Sequence, residues 1–191
     1  MTKKKLDVRF VASAFALDQC PKWARAEVAF AGRSNVGKSS ILNALAGVKG
    51  LARISKTPGR TRGLNFFASG DSLALVDLPG YGYAAMSHAE AAKIADFLDA
   101  YIKQRENLAA LVMLIDARRG PGPGEFELAD IVRRRPIKLI VVATKSDKLR
   151  AAERAAAPKL FDRLGQRPLL CSARDNEGID ALRRLVTISA A

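Results

Sequence analysis

A chain of 191 residues, 49% of them hydrophobic, is long enough to bury a core without covalent staples and short enough to form one domain. Its two cysteines, Cys20 and Cys171, lack metal-ligand spacing and read as reduced thiols, and its longest apolar run, Leu108 to Ile115, suits a buried strand rather than a membrane span. The net charge of +13, with a pI near 10.2, points to a polyanionic partner, nucleic acid first. Any one of the clusters Lys3-Lys4-Lys5, Arg118-Arg119, Arg133-Arg134-Arg135 and Arg183-Arg184 is explained as a solvated helix face or end. Their sum favours RNA.

Residues 1–25 read as a basic N-terminal arm packed on a single domain of residues 26–191, with Phe15 and Trp23 as packing residues. Lys3-Lys4-Lys5 and the small residues from Val11 to Ala14 resemble a signal peptide, but Asp7 and Arg9 interrupt its apolar region, so a cytoplasmic protein is expected. A short buried strand, Glu27 to Ala31, then runs into Gly32-Arg33-Ser34-Asn35-Val36-Gly37-Lys38-Ser39, which satisfies G-x-x-x-x-G-K-[ST]. Helical periodicity follows. Strand, glycine-rich loop and helix form the setting of a phosphate-binding loop: successive N–H groups point inward, Lys38 adds charge at the terminal phosphates, and Ser39 offers its hydroxyl to magnesium.

Gly47 to Gly63, with Pro58, reads as a long charged loop. Within it Gly59, Arg60, Thr61, Arg62 and Gly63 are expected at the nucleotide, with Thr61 a second magnesium ligand and Thr57 its rival. Two strands flanking Gly70-Asp71 form a hairpin, and the second leads into Asp77-Leu78-Pro79-Gly80. There Asp77 reaches the metal through water and the Gly80 N–H meets a γ-phosphate, the arrangement of a nucleotide switch. Ala89 to Gln104 is a helix with Ala92, Ile94, Ala95, Leu98 and Ile102 on one side. Leu108 to Ile115 is a strand, and Gly120-Pro121-Gly122-Pro123-Gly124 breaks the chain before a helix ending in Arg133-Arg134-Arg135.

The apolar strand Ile137 to Ala143 delivers Thr144-Lys145-Ser146-Asp147, which identifies the base. An aspartate in the plane of guanine accepts from N1–H and the 2-amino group; adenine would leave that carboxylate unpaired, a discrimination of roughly 10⁴ or more. Lys145 would lie along the base. Thr144 stands where the usual form of the motif has Asn. A helix spans much of Lys148 to Leu164 with Pro158 interrupting it. Pro168 to Cys171 is a last strand, whose Cys171-Ser172-Ala173 end can bring a backbone N–H to guanine O6, and Gly178 to Ile188 is a last helix. Strands alternating with helices give an α/β fold: three layers around a mostly parallel six-stranded sheet with one antiparallel edge strand.

The phosphate loop, Thr57-Pro58-Gly59-Arg60-Thr61, Leu64-Asn65-Phe66-Phe67, Asp77 to Ala84 and Thr144 to Asp147 together resemble the translation-factor-related GTPases. The nearest resemblance is to the EngB (YihA/YsxC) family of bacterial ribosome-assembly GTPases, which shares the T-K-x-D variant. That resemblance covers nearly the whole chain. It implies a Ras-like domain that binds GTP and GDP with Mg²⁺, works as a monomer, acts late in assembly of the large ribosomal subunit or its precursor, and is needed for cell division and septation. The position after Asp77-Leu78-Pro79-Gly80, where Ras-like enzymes carry a water-positioning Gln, is Tyr81, so slow unassisted hydrolysis is expected. His88 reads more simply as solvated than as catalytic. Lys38, Thr61 and Asn35 are the catalytic candidates. Related GTPases with Asn at the Asn35 position bind K⁺ there, and carbonyls between Lys49 and Lys56 could complete such a site. A small-molecule P-loop kinase would not need a guanine-reading loop, and a basic non-catalytic ribosome-associated protein would leave every nucleotide motif unexplained.

Overall fold

The computed structural model describes residues 6–48, 50–51, 63–81 and 88–189, without the side chains of His88 and Ala91. Seven strands form one sheet in the order β1-β3-β4-β2-β5-β6-β7. In chain order these are β1 (Val8–Ala14), β2 (Ala26–Gly32), β3 (Leu64–Ser69), β4 (Leu73–Asp77), β5 (Leu108–Asp116), β6 (Lys138–Thr144) and β7 (Leu169–Cys171). Pairing is parallel from β4 through β2, β5 and β6 to β7, whereas β3 pairs antiparallel with both β4 and β1. The α/β class and the mostly parallel sheet are as expected, with seven strands rather than six. The additional strand, β1, comes from the stretch read as an arm.

β2, β5 and β6 are near-continuous apolar runs because both faces of the sheet are covered. On one face Val28, Phe30, Leu75 and Val112 pack under α1 (Lys38–Ala46) and α5 (Ile179–Ile188) through Ile41, Leu42, Leu45, Leu182 and Val186. On the other, Phe66, Val76, Leu111 and Met113 meet α2 (His88–Gln104), α3 (Pro123–Arg133) and Phe161 of a 3₁₀ turn. Strand alternation sends Phe66 and Phe67 to opposite layers. α4 (Ala151–Ala156) gives way to 3₁₀ geometry over Ala157–Leu164, where Pro158 supplies no N–H to continue the α-helical ladder.

Three details differ from the sequence reading. In α2 the buried side is Tyr101 and Ile102 with Phe97 and Leu98 packed beside them, while Ala92 and Ala95 face solvent. Phe15 is 60% exposed rather than packed, and Trp23 does pack, edge-on to Phe66. The Gly/Pro-rich stretch does not only precede a helix, because Gly122 caps α3 and Pro123 is its first residue, a position that needs no donor.

Beneath the sheet, at the start of β2, Glu27 is completely buried. Its carboxylate accepts from Trp23 Nε1 at 2.8 Å, Tyr101 Oη at 2.7 Å and the Arg105 guanidinium at 2.6 Å. This cluster joins the segment before β2 to the end of α2. Arg135 completes it by donating to the carbonyls of Ile102, at 2.6 Å, and Arg105, at 3.1 Å.

Candidate functional site

The phosphate loop spans the turn from the end of β2 to the start of α1. Gly32 is required because an added Cβ would lie 2.8 Å from the Leu114 carbonyl oxygen and 2.8 Å from Val36 Cγ1. Gly37, the residue before α1, has φ 102°, and Asn35 has φ 63°. Left-handed backbone at Asn35 and Gly37 turns the loop tightly into α1, whose first N–H groups have no intrahelical acceptor. An anion is thereby favoured at this helix start. Lys38 opens α1, and its ammonium is ion-paired with the Asp77 carboxylate at the end of β4.

Asp77-Leu78-Pro79-Gly80 runs along the same loop. The Leu78 N–H donates to the Phe30 carbonyl at 3.1 Å, and the Ser34 N–H donates to the Tyr81 carbonyl at 3.1 Å. Gly80 lies so close that a Cβ on it would be 3.4 Å from Ser34 N. The residues fit magnesium: Asp77, 5% exposed, sits against Lys38, whose neighbour Ser39 carries a hydroxyl. Two such hard oxygens suit an ion that keeps water and phosphate oxygens for the rest of its octahedron. Among the described residues no group of three or more His, Cys, Asp or Glu could hold a metal by itself.

The loop from Thr144 to Asp147 leaves the end of β6. Thr144 Oγ1 donates to the Val36 carbonyl at 2.7 Å, with the Ile115 carbonyl at 3.2 Å, so a threonine braces this loop against the phosphate loop. Lys145, at φ 59°, donates from Nζ to the Asn35 carbonyl at 2.6 Å and stands 3.1 Å from Asp116. Burial alone would raise the Asp116 pKa; hydrogen bonds from the Arg118 side chain and backbone and from Lys145 outweigh it and hold the carboxyl well below the usual range. Ser146 is fully buried and donates to Glu177 at 2.7 Å, and Glu177 pairs with Arg154. Asp147 accepts at Oδ1 from Ser172 Oγ at 3.0 Å. Cys171 and Ser172 are buried behind it, and Ala173 lines a cleft of about 850 Å³ together with Val36, Gly37, Lys145 and Asp147. That volume lies within the range of small-molecule sites.

The structure thus brings Gly32 to Ser39, Asp77 to Gly80, Thr144 to Asp147 and Cys171 to Ala173 to the carboxyl ends of β2, β4, β6 and β7, where ligands of doubly wound sheets bind. Gly59, Arg60, Thr61 and Arg62, with Thr57 and the carbonyls between Lys49 and Lys56, lie outside the described residues, save those of Gly50 and Leu51. Gly63 packs against Ala14 and Phe15 and is not among the residues lining the cleft. His88 opens α2. Sequence reasoning missed Glu177 and Glu125. The signal for Glu125 was its place three residues after a helix cap, the reach-back position of a capping box.

A family model described as 50S ribosome-binding GTPase matches residues 27–145. A "Probable GTP-binding protein EngB" of Desulfovibrio desulfuricans is 44% identical over 172 residues, covering 89% of this chain and 86% of that protein. Another of the same name from Nitrosococcus oceani is 44% identical over 177 residues, covering 90% and 88%. A crystal structure described as a probable GTP-binding protein engB superposes with a TM-score of 0.72 at 24% identity, covering 86% of this chain and 98% of that one, and so shares the fold. With a matching phosphate loop, fold and family model, the chain belongs to the EngB family of GTP-binding proteins and is a P-loop GTPase.

Proposed function

We propose that this GTPase is a nucleotide switch acting in late assembly of the large ribosomal subunit, a cytoplasmic monomer whose loss impairs cell division and septation. The observation that carries the guanine part is the Asp147 carboxylate, held by Ser172 in the lining of a nucleotide-sized cleft. The ribosomal part is supported by the +13 net charge and by the description of the matching family model. Asp147 pairs with the guanine edge, Lys145 flanks the base, and the Cys171-Ser172-Ala173 turn offers a backbone donor to O6. The N–H groups from Asn35 to Ser39, save that of Val36, which donates to the Arg33 carbonyl, cradle the phosphates, and Lys38 exchanges Asp77 for phosphate oxygen.

Ser39 and Thr61, with Asp77 through water, would hold Mg²⁺, which supplies charge neutralisation at the β- and γ-phosphates. Gly59 to Gly63 and the Gly80 N–H respond to the γ-phosphate. Tyr81 has no carboxamide to orient water, so turnover should be slow unaided; Asn35 would hold K⁺, and that ion or the ribosomal particle would supply the missing electrostatics. The exposed side chain of Asn35 on a left-handed turn supports the K⁺ reading.

Sedimentation with large subunits or their precursors tests the proposal. The GTP-bound protein should co-sediment more strongly than the GDP-bound one, and moderate salt should release it as counterions return to RNA. Association indifferent to nucleotide and salt would contradict it.

A further inference from the structure

The residue after Gly80 is fixed from two sides. The Tyr81 carbonyl accepts the Ser34 N–H at 3.1 Å, with Ser34 Oγ at 3.4 Å, and Tyr81 forms a parallel bridge with Arg33. Its phenol reaches α3 and donates to Glu125 Oε1 at 3.0 Å. Glu125 is 2% exposed, and its other oxygen accepts the Gly122 N–H at 2.8 Å. One buried carboxylate therefore ties the start of α3 to the phosphate loop through a single tyrosine.

This arrangement gives a physical reason for the glycine-rich stretch between β5 and α3. A Cβ on Gly122 would stand 3.2 Å from Glu125 Oε2, tighter than ordinary contact, and one on Gly124 would touch Tyr81 Cε2 at 3.8 Å. Bare backbone at Gly122 lets the carboxylate settle against its N–H, whereas a Cβ on Gly124 would make only ordinary contact with the ring. Burial first, and Glu125 second, push the Tyr81 phenol far above its ordinary pKa, so it remains a donor.

We propose that Glu125 is a positioning residue for γ-phosphate sensing: by holding Tyr81 it fixes the preceding Gly80 N–H, and Tyr81 serves as an anchor where a glutamine would orient water. The inference rests on the reading that Gly80 meets the γ-phosphate. The test measures affinities for GDP and for a non-hydrolysable GTP analogue with the full chain. Tyr81→Phe keeps the ring and removes the donor; Glu125→Ala removes the acceptor. Each should weaken the analogue about 5- to 10-fold, the range of one hydrogen bond, and leave GDP within about 2-fold. The double variant should be no worse than Glu125→Ala alone, since Tyr81→Phe removes only the Tyr81–Glu125 bond that Glu125→Ala already breaks. Glu125→Gln, whose amide can accept the Gly122 N–H with its oxygen and donate its NH₂ to the Tyr81 oxygen, should recover most of the analogue's affinity.

Equal weakening of GDP and analogue, no weakening of either, or additive losses in the double variant would overturn the inference; Tyr81→Phe answers alone if Glu125→Ala fails to fold. Gly80→Pro, which removes the N–H itself, separates the reading of Gly80 from the role of Glu125. If it leaves the preference for the analogue intact, the reading of Gly80 fails and the inference with it. If it abolishes that preference while Tyr81→Phe and Glu125→Ala do not, only the role of Glu125 fails.

Discussion

Thr144 donates its hydroxyl to the Val36 carbonyl over 2.7 Å, joining the loop we propose reads the base to the loop we propose holds the phosphates. The bond spans 108 residues of sequence and is buried. Thr144→Val keeps the shape and removes the donor, leaving a buried carbonyl with one partner fewer, at about 1–3 kcal/mol. GDP affinity should fall about tenfold, and Thr144→Ser should retain most of it. Titration with GDP checks this, and an unchanged dissociation constant for Thr144→Val would contradict the bracing role.

The Glu27 cluster should govern stability without governing nucleotide choice, because it lies at the start of β2 and the phosphate loop at its end. Glu27→Ala strands the Arg105 guanidinium among buried groups, a loss of about 3–5 kcal/mol for breaking one side of a buried pair. At about 2–4 °C per kcal/mol for a chain of this size, the melting temperature should drop by about 6–20 °C. Thermal unfolding measures it. A shift of only a degree or two would show that the cluster is incidental.

Burial pushes the Cys20 thiol up to about 11 and the Cys171 thiol up to about 12, from an ordinary value of 9.0. Both raised values favour the protonated thiol in the folded state. Their stabilisation is complete below the unfolded pKa and is lost as pH rises from about 9 through the folded values. Folded protein at pH 8 should therefore resist iodoacetamide at both positions and react only in denaturant. Rapid labelling of the folded chain would contradict the burial of these thiols.

The motifs that were legible in the sequence are those whose chemistry sits within a few consecutive residues. Gly32 to Ser39, Asp77 to Gly80 and Thr144 to Asp147 each follow a strand end, so topology alone brings them together. Relationships between distant residues were not legible. Glu27 reads as one polar position in an apolar strand, and its partners Tyr101 and Arg105 lie 74 and 78 residues away. Tyr81 and Glu125 are 44 residues apart. β1 escaped notice because it is an edge strand with a register shift between Phe10 and Ala12, which blurs its alternation. In α2, Ala92 and Ala95 counted as apolar in the periodicity, although alanine is equally at home on an exposed helix face.

The most direct test is a set of competition titrations of GDP, ADP and xanthosine diphosphate on the wild type and on Asp147→Asn. Ser172 holds one Asp147 oxygen at 3.0 Å, and the carboxylate as a whole must accept from the guanine edge. Exchanging an acceptor for a donor should reverse the preference. The wild type should favour GDP over ADP by about 10⁴ or more, as a site built on a specific hydrogen-bond pair does. Asp147→Asn should lose GDP affinity and gain affinity for xanthosine diphosphate. Comparable binding of ADP and GDP by the wild type, or a variant with unchanged base preference, would contradict the assignment of this cleft as the guanine site.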